Sequence, residues 1–333
     1  MLDCIDPLLN NVWLLAVVLV LGFVLLVKGA DWLVDGASAL AKRFGITDLV
    51  IGLTVVAFGT SMPEFVVNMV SVAEGSTDLA ITNILGSNII NTFVILGLTA
   101  LVYPVLSQKR SRDFDIPMSI IAAVLVFAMV VVESPFGEEG RGISRMGGII
   151  LLVMFAYFLY NTFRHAQDHP EDAEAEQVQV LPMALWKALL LIAVGLVGLV
   201  VGGELIVKSA VRIAVDCGVS ESIIGLTIVA LGTSLPELAT SVMAAFKKNC
   251  DIALGNVIGS NIFNVFLVLG TSAVVRPLPA YDGIVMDAWM AAAGSILVWL
   301  FVKTNKEREV KRWGGAVLLV LYGCYLAMRL TQG

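Results

Sequence analysis

Ten apolar runs, each near the roughly 20 residues that a helix needs to cross a bilayer, constrain this chain more than any other feature. They cover residues 12–40, 47–73, 78–102, 116–132, 143–163, 183–211, 219–246, 251–275, 284–302 and 312–330. Backbone groups in hydrocarbon have no water to bond, so each run must satisfy its own N–H and C=O groups as a helix. Strands of a membrane barrel would alternate polar and apolar residues, and these runs do not. Of the 333 residues 58% are hydrophobic and only 14% charged, and the mean hydropathy is +0.91, outside the range of water-soluble domains. The expected fold is all-α, a polytopic membrane protein of ten transmembrane helices whose first partner is the lipid bilayer.

Loop charge orients those helices. Asp3 and Asp6 precede the first run where a cleaved signal would carry Lys or Arg, so no signal peptide is expected. Ten spans put thirteen Lys and Arg on one side (Lys42, Arg43, Lys109, Arg110, Arg112, Arg164, Lys247, Lys248, Lys303, Lys306, Arg308, Lys311 and Arg312). Only five, Arg141, Arg145, Arg212, Arg276 and Arg329, fall on the other. The positive-inside rule then places both termini outside the cytoplasm, in a multi-pass protein of the inner (plasma) membrane. The net charge of −6 comes with no basic stripe, so no nucleic-acid partner is expected. Cys4, Cys217, Cys250 and Cys324 carry no metal or CxxC spacing and read as small apolar fillers.

The chain is also internally duplicated. GLTVVAFGTSMPE at 52–64 returns as GLTIVALGTSLPE at 225–237, an offset of 173 residues. NILGSNIINTFVILG at 83–97 returns as NVIGSNIFNVFLVLG at 256–270 with the same offset. Gly29 and Gly202, and Pro104 and Pro277, keep that register, so about 76 residues align without a gap. Five spans per copy is an odd number, so the second copy must enter the membrane from the opposite side. The expected organisation is therefore two inverted five-helix repeats, 1–163 and 183–333, joined by an acidic cytoplasmic linker, 164–182. Inverted repeats place a transport site at their interface near the midplane. The linker holds His165 and His169, four apart, but Pro170 follows and the charge-rich composition reads as a solvated segment rather than a metal site.

The duplicated motif carries chemistry that lipid alone would not tolerate. From Leu49 to Val72, Glu64 is the only charged residue. Placing a carboxylate near a helix centre costs about 2.5 to 3.5 kcal/mol on insertion scales. Pro63 has no N–H for the Gly59 carbonyl, so the helix should break between Gly59 and Pro63, and likewise between Gly232 and Pro236. Broken helices persist at membrane depth where they are buried in protein or line a watery cavity. Thr60, Glu64, Asn68 and Ser71 recur at helical spacing, as do Thr233, Glu237 and Ser241. In the next span Asn83, Ser87 and Asn91 match Asn256, Ser260 and Asn264. Interhelical hydrogen bonding explains any single Ser or Asn equally well. The constellation as a whole, repeated around two glutamates, points to an ion path. Carboxylates, hydroxyls, amide oxygens and freed carbonyls are hard ligands, which favours Ca²⁺ and Na⁺ over zinc or copper.

GTSMPE with GSNIIN, and GTSLPE with GSNIFN, resemble the two alpha repeats of the cation/calcium antiporter superfamily, specifically its sodium/calcium exchangers. The resemblance spans both repeats and the ten-span layout. It implies an antiporter that exchanges Na⁺ for Ca²⁺ by alternating access, with those two ions as cargo and no organic cofactor. It also implies that Glu64 and Glu237 are the central Ca²⁺ ligands. Thr60, Ser61, Thr233 and Ser234, with the carbonyls of Ala57 and Ala230, would serve the ion sites around them. Ser87, Asn91, Ser260 and Asn264 would complete those sites from the neighbouring helices.

Some relatives, the potassium-dependent ones among them, carry Asp where this chain has Asn264, so a site charge of −2 argues against a potassium requirement. The proton-coupled branch places a glutamate after its GN, which GNVIGSN lacks. A passive channel on the same site is the reading from another class, and inverted repeats with broken helices argue for alternating access instead. An enzyme is not expected, because both histidines lie in the linker and no GxSxG is present. The stripe Lys28, Asp31 and Asp35 matches Val201, Glu204 and Lys208. It reads as snorkelling and pairing within helices, with a role in gating as the alternative.

Overall fold

The computed structural model describes residues 12–132, 141–168, 183–217 and 230–332. Twelve helical segments make up almost all of it. They are α1 (Val12–Phe44), α2 (Asp48–Thr60), α3 (Met62–Glu74), α4 (Thr77–Val102), α5 (Ser111–Val131) and α6 (Arg145–Asp168). After the linker come α7 (Leu185–Asp216), α8 (Ala230–Thr233), α9 (Leu235–Phe246), α10 (Cys250–Val275), α11 (Ile284–Thr304) and α12 (Arg312–Gln332). Among the described residues seven helices are long and apolar enough to cross a membrane, and up to eight if the bent pair α2–α3 is one span. Residues 225–229 of the second motif, Cys4, His169 and most of the linker lie outside the described residues.

Two features depart from an all-α chain whose helices end with their apolar runs. Four two-residue strands form two antiparallel ribbons: β1 (Val105–Leu106) pairs with β4 (Glu309–Val310), and β2 (Gly142–Ile143) with β3 (Leu278–Pro279). Pro104 and Pro277 cause this, because a residue before proline is driven out of the helical region. Tyr103 (φ −146°, ψ 130°) and Arg276 (φ −146°, ψ 131°) are both extended, and the chain leaves each helix as a strand. Each ribbon joins a strand before the linker to one after it. Secondly, α6 runs to Asp168, past the expected linker start at 164, because Arg164 pairs with Asp168 one turn on at 3.5 Å. His165 is therefore helical. The cysteines are also less uniform than expected: Cys250 is half-buried against the Pro104 carbonyl, whereas Cys217 and Cys324 are exposed.

Burial sorts the helices into centre and rim. In α10, 94% of the apolar stretch is buried and in α4, 78%, against 33% in α1 and 28% in α6. Helices α4 and α10 therefore stand at the centre, and the apolar residues exposed on α1, such as Val17, Val20 and Phe23, face the lipid position. Caps fix where the central helices start. Asn249 accepts from Ile252 N at 3.0 Å at the head of α10, and its amide also reaches the Asp48 carboxylate and Ser38 Oγ. That one side chain ties α10, α2 and α1 together.

Helices α1 and α7 have 33 and 32 residues, about 48 Å each at 1.5 Å per residue, longer than the hydrocarbon core and so inclined or protruding. They cross on small residues at seven-residue spacing. A Cβ on Gly29 would lie 2.8 Å from the Gly195 carbonyl, and one on Gly202 would lie 2.7 Å from the Gly22 carbonyl. Backbones this close leave no room for a side chain, which is how helices associate where lipid removes the hydrophobic drive. Gly29→Ala is therefore expected to cost about 1 to 3 kcal/mol through overpacking. The melting temperature in detergent should fall by several degrees, whereas Gly323→Ala, which meets nothing within 4 Å, should not lower it. Equal melting of the two variants would refute the close crossing.

Candidate ion-binding site

The break expected from Pro63 falls at Ser61 (φ −85°, ψ 6°), where α2 and α3 bend by 44°. Ser61 N still donates to the Ala57 carbonyl at 3.0 Å, but the Gly59 carbonyl has no donor at the usual helical position, because Pro63 has no N–H. Ser234 (φ −89°, ψ 5°) repeats the conformation between α8 and α9. Each break restarts a helix whose first turn contains a glutamate, Glu64 in α3 and Glu237 in α9, where free N–H groups favour negative charge. The same backbone event that exposes carbonyls thus also places the carboxylate.

The two glutamates face across the repeats. The Glu64 carboxylate lies against the hydroxyls of Thr233 and Ser87, and Glu237 against those of Ser61, Thr60 and Ser260. Ser61 Oγ donates to Glu237 Oε1 at 3.0 Å. The pattern exchanges under the 173-residue offset, so each carboxylate takes a threonine from the other copy and a serine from its own. Glu64 is 1% exposed and Glu237 0%, and the two are close enough for their charges to repel. Both Glu64 oxygens and Glu237 Oε2 are buried without a well-formed hydrogen bond. Among the described residues no ion pair reaches either glutamate, and no group of three or more His, Cys, Asp or Glu assembles. Two carboxylates and neutral oxygens are the charge available here.

Helices α4 and α10 supply the remaining oxygens. Both widen into a π-helical turn just after GSN, at Ile90–Ile95 and Phe263–Leu269, a distortion that often marks functional positions. Asn91 and Asn264 sit at the second residue of these turns, both fully buried. Ser87, Ser234 and Ser260 are buried with hydroxyls that make no well-formed hydrogen bond, as is the Thr233 hydroxyl. The Ala57 carbonyl also faces Thr60 Oγ1 at 3.3 Å, and Ala230 opens α8 at the matching backbone position. Every residue expected from sequence thus lies on the two breaks or the two central helices.

Sequence reasoning missed the amides that join the central helices. Asn264 donates to Asn88 Oδ1 at 3.0 Å, Asn88 to the Asn261 carbonyl at 3.1 Å, and Asn261 to Thr92 at 2.8 Å. The only sequence signal was the repeated Asn in GSN. The amide of Asn91, which the offset matches to Asn264, has no partner, so the copies differ here. The charged stripe on α1 pairs within its helix through Lys28 and Asp31, as expected, and also beyond it. Lys247, past the end of α9, reaches Asp31 at 2.7 Å and Asp35 at 2.6 Å, while Lys28 lies 3.8 Å from Asp31. Helices α1 and α9 are latched by that lysine. A cleft of about 500 Å³ between α3, α7 and α8–α9 is lined by Pro63, Val66, Glu204, Val207 and Thr233 among others, so it reaches the edge of the site.

Comparison with known proteins identifies the family. The profile of the sodium/calcium exchanger protein family matches residues 14–164 and 187–331. Sodium/calcium exchanger MaX1 of Methanosarcina acetivorans is 30% identical over 341 residues, covering 93% of this chain and 97% of that one. Inner membrane protein YrbG of Escherichia coli is 38% identical, covering 78% of this chain and 79% of that one. The sodium-calcium exchanger NCX_Mj, soaked with Na⁺ and Ca²⁺, superposes with a TM-score of 0.79 at 32% identity, covering 95% of this chain and 99% of that one. A match along both halves, to relatives of the same length and to a solved exchanger, has one consequence: this chain is a member of the sodium/calcium exchanger family, a family of membrane antiporters.

Proposed function

We propose that this protein exports Ca²⁺ in exchange for Na⁺ by alternating access, with Glu64 and Glu237 holding Ca²⁺ between them. The observation that carries the reading is the pair of buried, facing carboxylates with unpaired oxygens and, among the described residues, no basic partner. Two like charges in a low-dielectric interior need a compensating cation, and one Ca²⁺ or two Na⁺ would neutralise them. Thr60, Ser61, Thr233 and Ser234, the carbonyls of Ala57 and Ala230, and Ser87, Asn91, Ser260 and Asn264 complete the ion sites. The ten-span arrangement is two inverted repeats, 1–163 and 183–333, with 164–182 as a cytoplasmic linker. Both ribbons support it, since strands brought to one side by ten spans are the strands that pair. Both termini then lie outside the cytoplasm of the inner membrane, and the cleft lined by Glu204 and Thr233 is a route for ions from the outer side.

Three outcomes test the reading in reconstituted vesicles. Glu64→Gln and Glu237→Gln, which remove charge and keep volume, should each lower Ca²⁺ exchange by about 100-fold or more, since even outer partners of a metal ion can cost that factor. Retained exchange in a correctly folded variant would sink the central site. A Na⁺ gradient should drive Ca²⁺ flux with K⁺ absent, because Asn91 and Asn264 are neutral; an obligatory K⁺ or a proton gradient that substitutes fully would overturn the coupling. Neutral oxygens around the two carboxylates leave room for a third Na⁺, so exchange should move net charge. An inside-negative potential should then accelerate Na⁺-driven export, each charge gaining about 2.3 kcal/mol per 100 mV. Equal rates at two clamped potentials would mean neutral exchange of two Na⁺ per Ca²⁺.

A further inference from the structure

Asn256, on α10, does not belong to the ion ligands proposed above, yet it touches three parts of their frame. Its amide nitrogen donates to the Glu237 main-chain carbonyl at 3.2 Å and to Ser241 Oγ at 2.9 Å, and its Oδ1 accepts from Thr60 Oγ1 at 3.1 Å. The side chain is fully buried. Its orientation follows from chemistry, because a main-chain carbonyl can only accept and so must meet the NH₂ group. Oδ1 then necessarily faces Thr60, and the threonine hydroxyl must be the donor. A hydroxyl has one proton. The Ala57 carbonyl, at 3.3 Å, is a more distant acceptor for the same proton; with the proton given to Asn256 at 3.1 Å, the lone pairs of Thr60 Oγ1 are what remains for the Glu237 carboxylate.

The first repeat lacks this device. Asn83, the match of Asn256, gives its amide to Asn68 Oδ1 at 2.9 Å and is only partly buried. Asn68 stands where the second repeat has Ser241, and its own amide is taken by the Ala80 carbonyl at 3.0 Å. The Thr233 hydroxyl has no well-formed bond to an acceptor. Thr60 is therefore held by a partner outside the site, whereas Thr233 is not.

We propose that Asn256 is a positioning residue for cation binding that acts through Thr60, holding the hydroxyl proton away from Glu237 so that two oxygens present lone pairs to one ion. Removing Asn256 frees the Thr60 proton to bond the Glu237 carboxylate or the Ala57 carbonyl, both ligands of the proposed ion site, and an arriving cation must first break that bond. The inference rests on the proposed exchange at Glu64 and Glu237.

The test measures half-saturating Ca²⁺ and maximal rate of exchange in vesicles for Asn256→Leu, Thr60→Val and the double variant. Asn256→Leu should raise half-saturating Ca²⁺ by about 10-fold, the size of an outer-partner loss, with a maximal rate within about twofold. Thr60→Val should raise it at least as much, and the double variant should be no worse than Thr60→Val alone. Additive losses, or a fall in maximal rate with unchanged half-saturation, would overturn the proposal by showing a structural role. If Asn256→Leu does not fold, Asn256→Ser takes its place in the same cycle with the same expected non-additivity. The parent reading fails separately: exchange that survives Glu237→Gln removes it, whereas a dead Glu237→Gln beside an unchanged Asn256→Leu removes only the role of Asn256.

Discussion

Two carboxylates meet in the buried interior of the helix bundle with no ion pair to neutralise them among the described residues, and the rest of the architecture answers that problem. Glu64 and Glu237 are held in the first turns of two restarted helices, where unpaired N–H groups temper their charge. The restart requires Pro63 and Pro236, and the break requires a buried setting for its loose carbonyls. Helices α4 and α10 provide it. Their nearly complete burial makes them the wall on which Ser87, Asn91, Ser260 and Asn264 stand, and the amide links between them keep that wall in register.

Much of this was legible because membrane-spanning segments and helix breakers are local signals. The run at 47–73 became α2 and α3, Asp48 to Glu74, broken at Ser61 as Gly59 and Pro63 required. Glu64, Thr60 and Ser61 could be picked out because a charge inside an apolar stretch has few explanations. What escaped depends on contacts distant in sequence. Lys247 lies more than 200 residues from Asp31 and Asp35, and Asn264 lies 176 from Asn88. Such pairs leave no periodic trace. The π-helical turns after GSN also escaped, since one extra residue per turn does not disturb a fully apolar pattern.

The repeat is symmetric in backbone and asymmetric in chemistry. Ser61 and Ser234 have nearly the same dihedral angles, and the two ribbons pair in the same crossed sense. Yet Asn256 holds Thr60 while Asn83 turns to Asn68, and Asn264 is bonded while Asn91 is not. The charges on the long helices differ too: Asp35 on α1, bound to Lys247, corresponds to Lys208 on α7, and Lys247 corresponds to Glu74. Opposite signs at both positions make the two ends of the molecule distinguishable. A perfectly duplicated unit would present identical sites to both sides of the membrane.

The same unpaired charge explains why a carrier on this plan would exchange ions rather than leak them. If the halves rearrange around the site, the empty state must carry two bare carboxylates through a closed, low-dielectric intermediate. Several kcal/mol of desolvation per ion oppose that step. Loading one Ca²⁺, or enough Na⁺, removes the opposition, so loaded carriers turn over and empty ones wait. Coupling then needs no gate that senses sodium and calcium separately. On that plan it would follow from two buried glutamates whose oxygens the surrounding hydroxyls only partly satisfy.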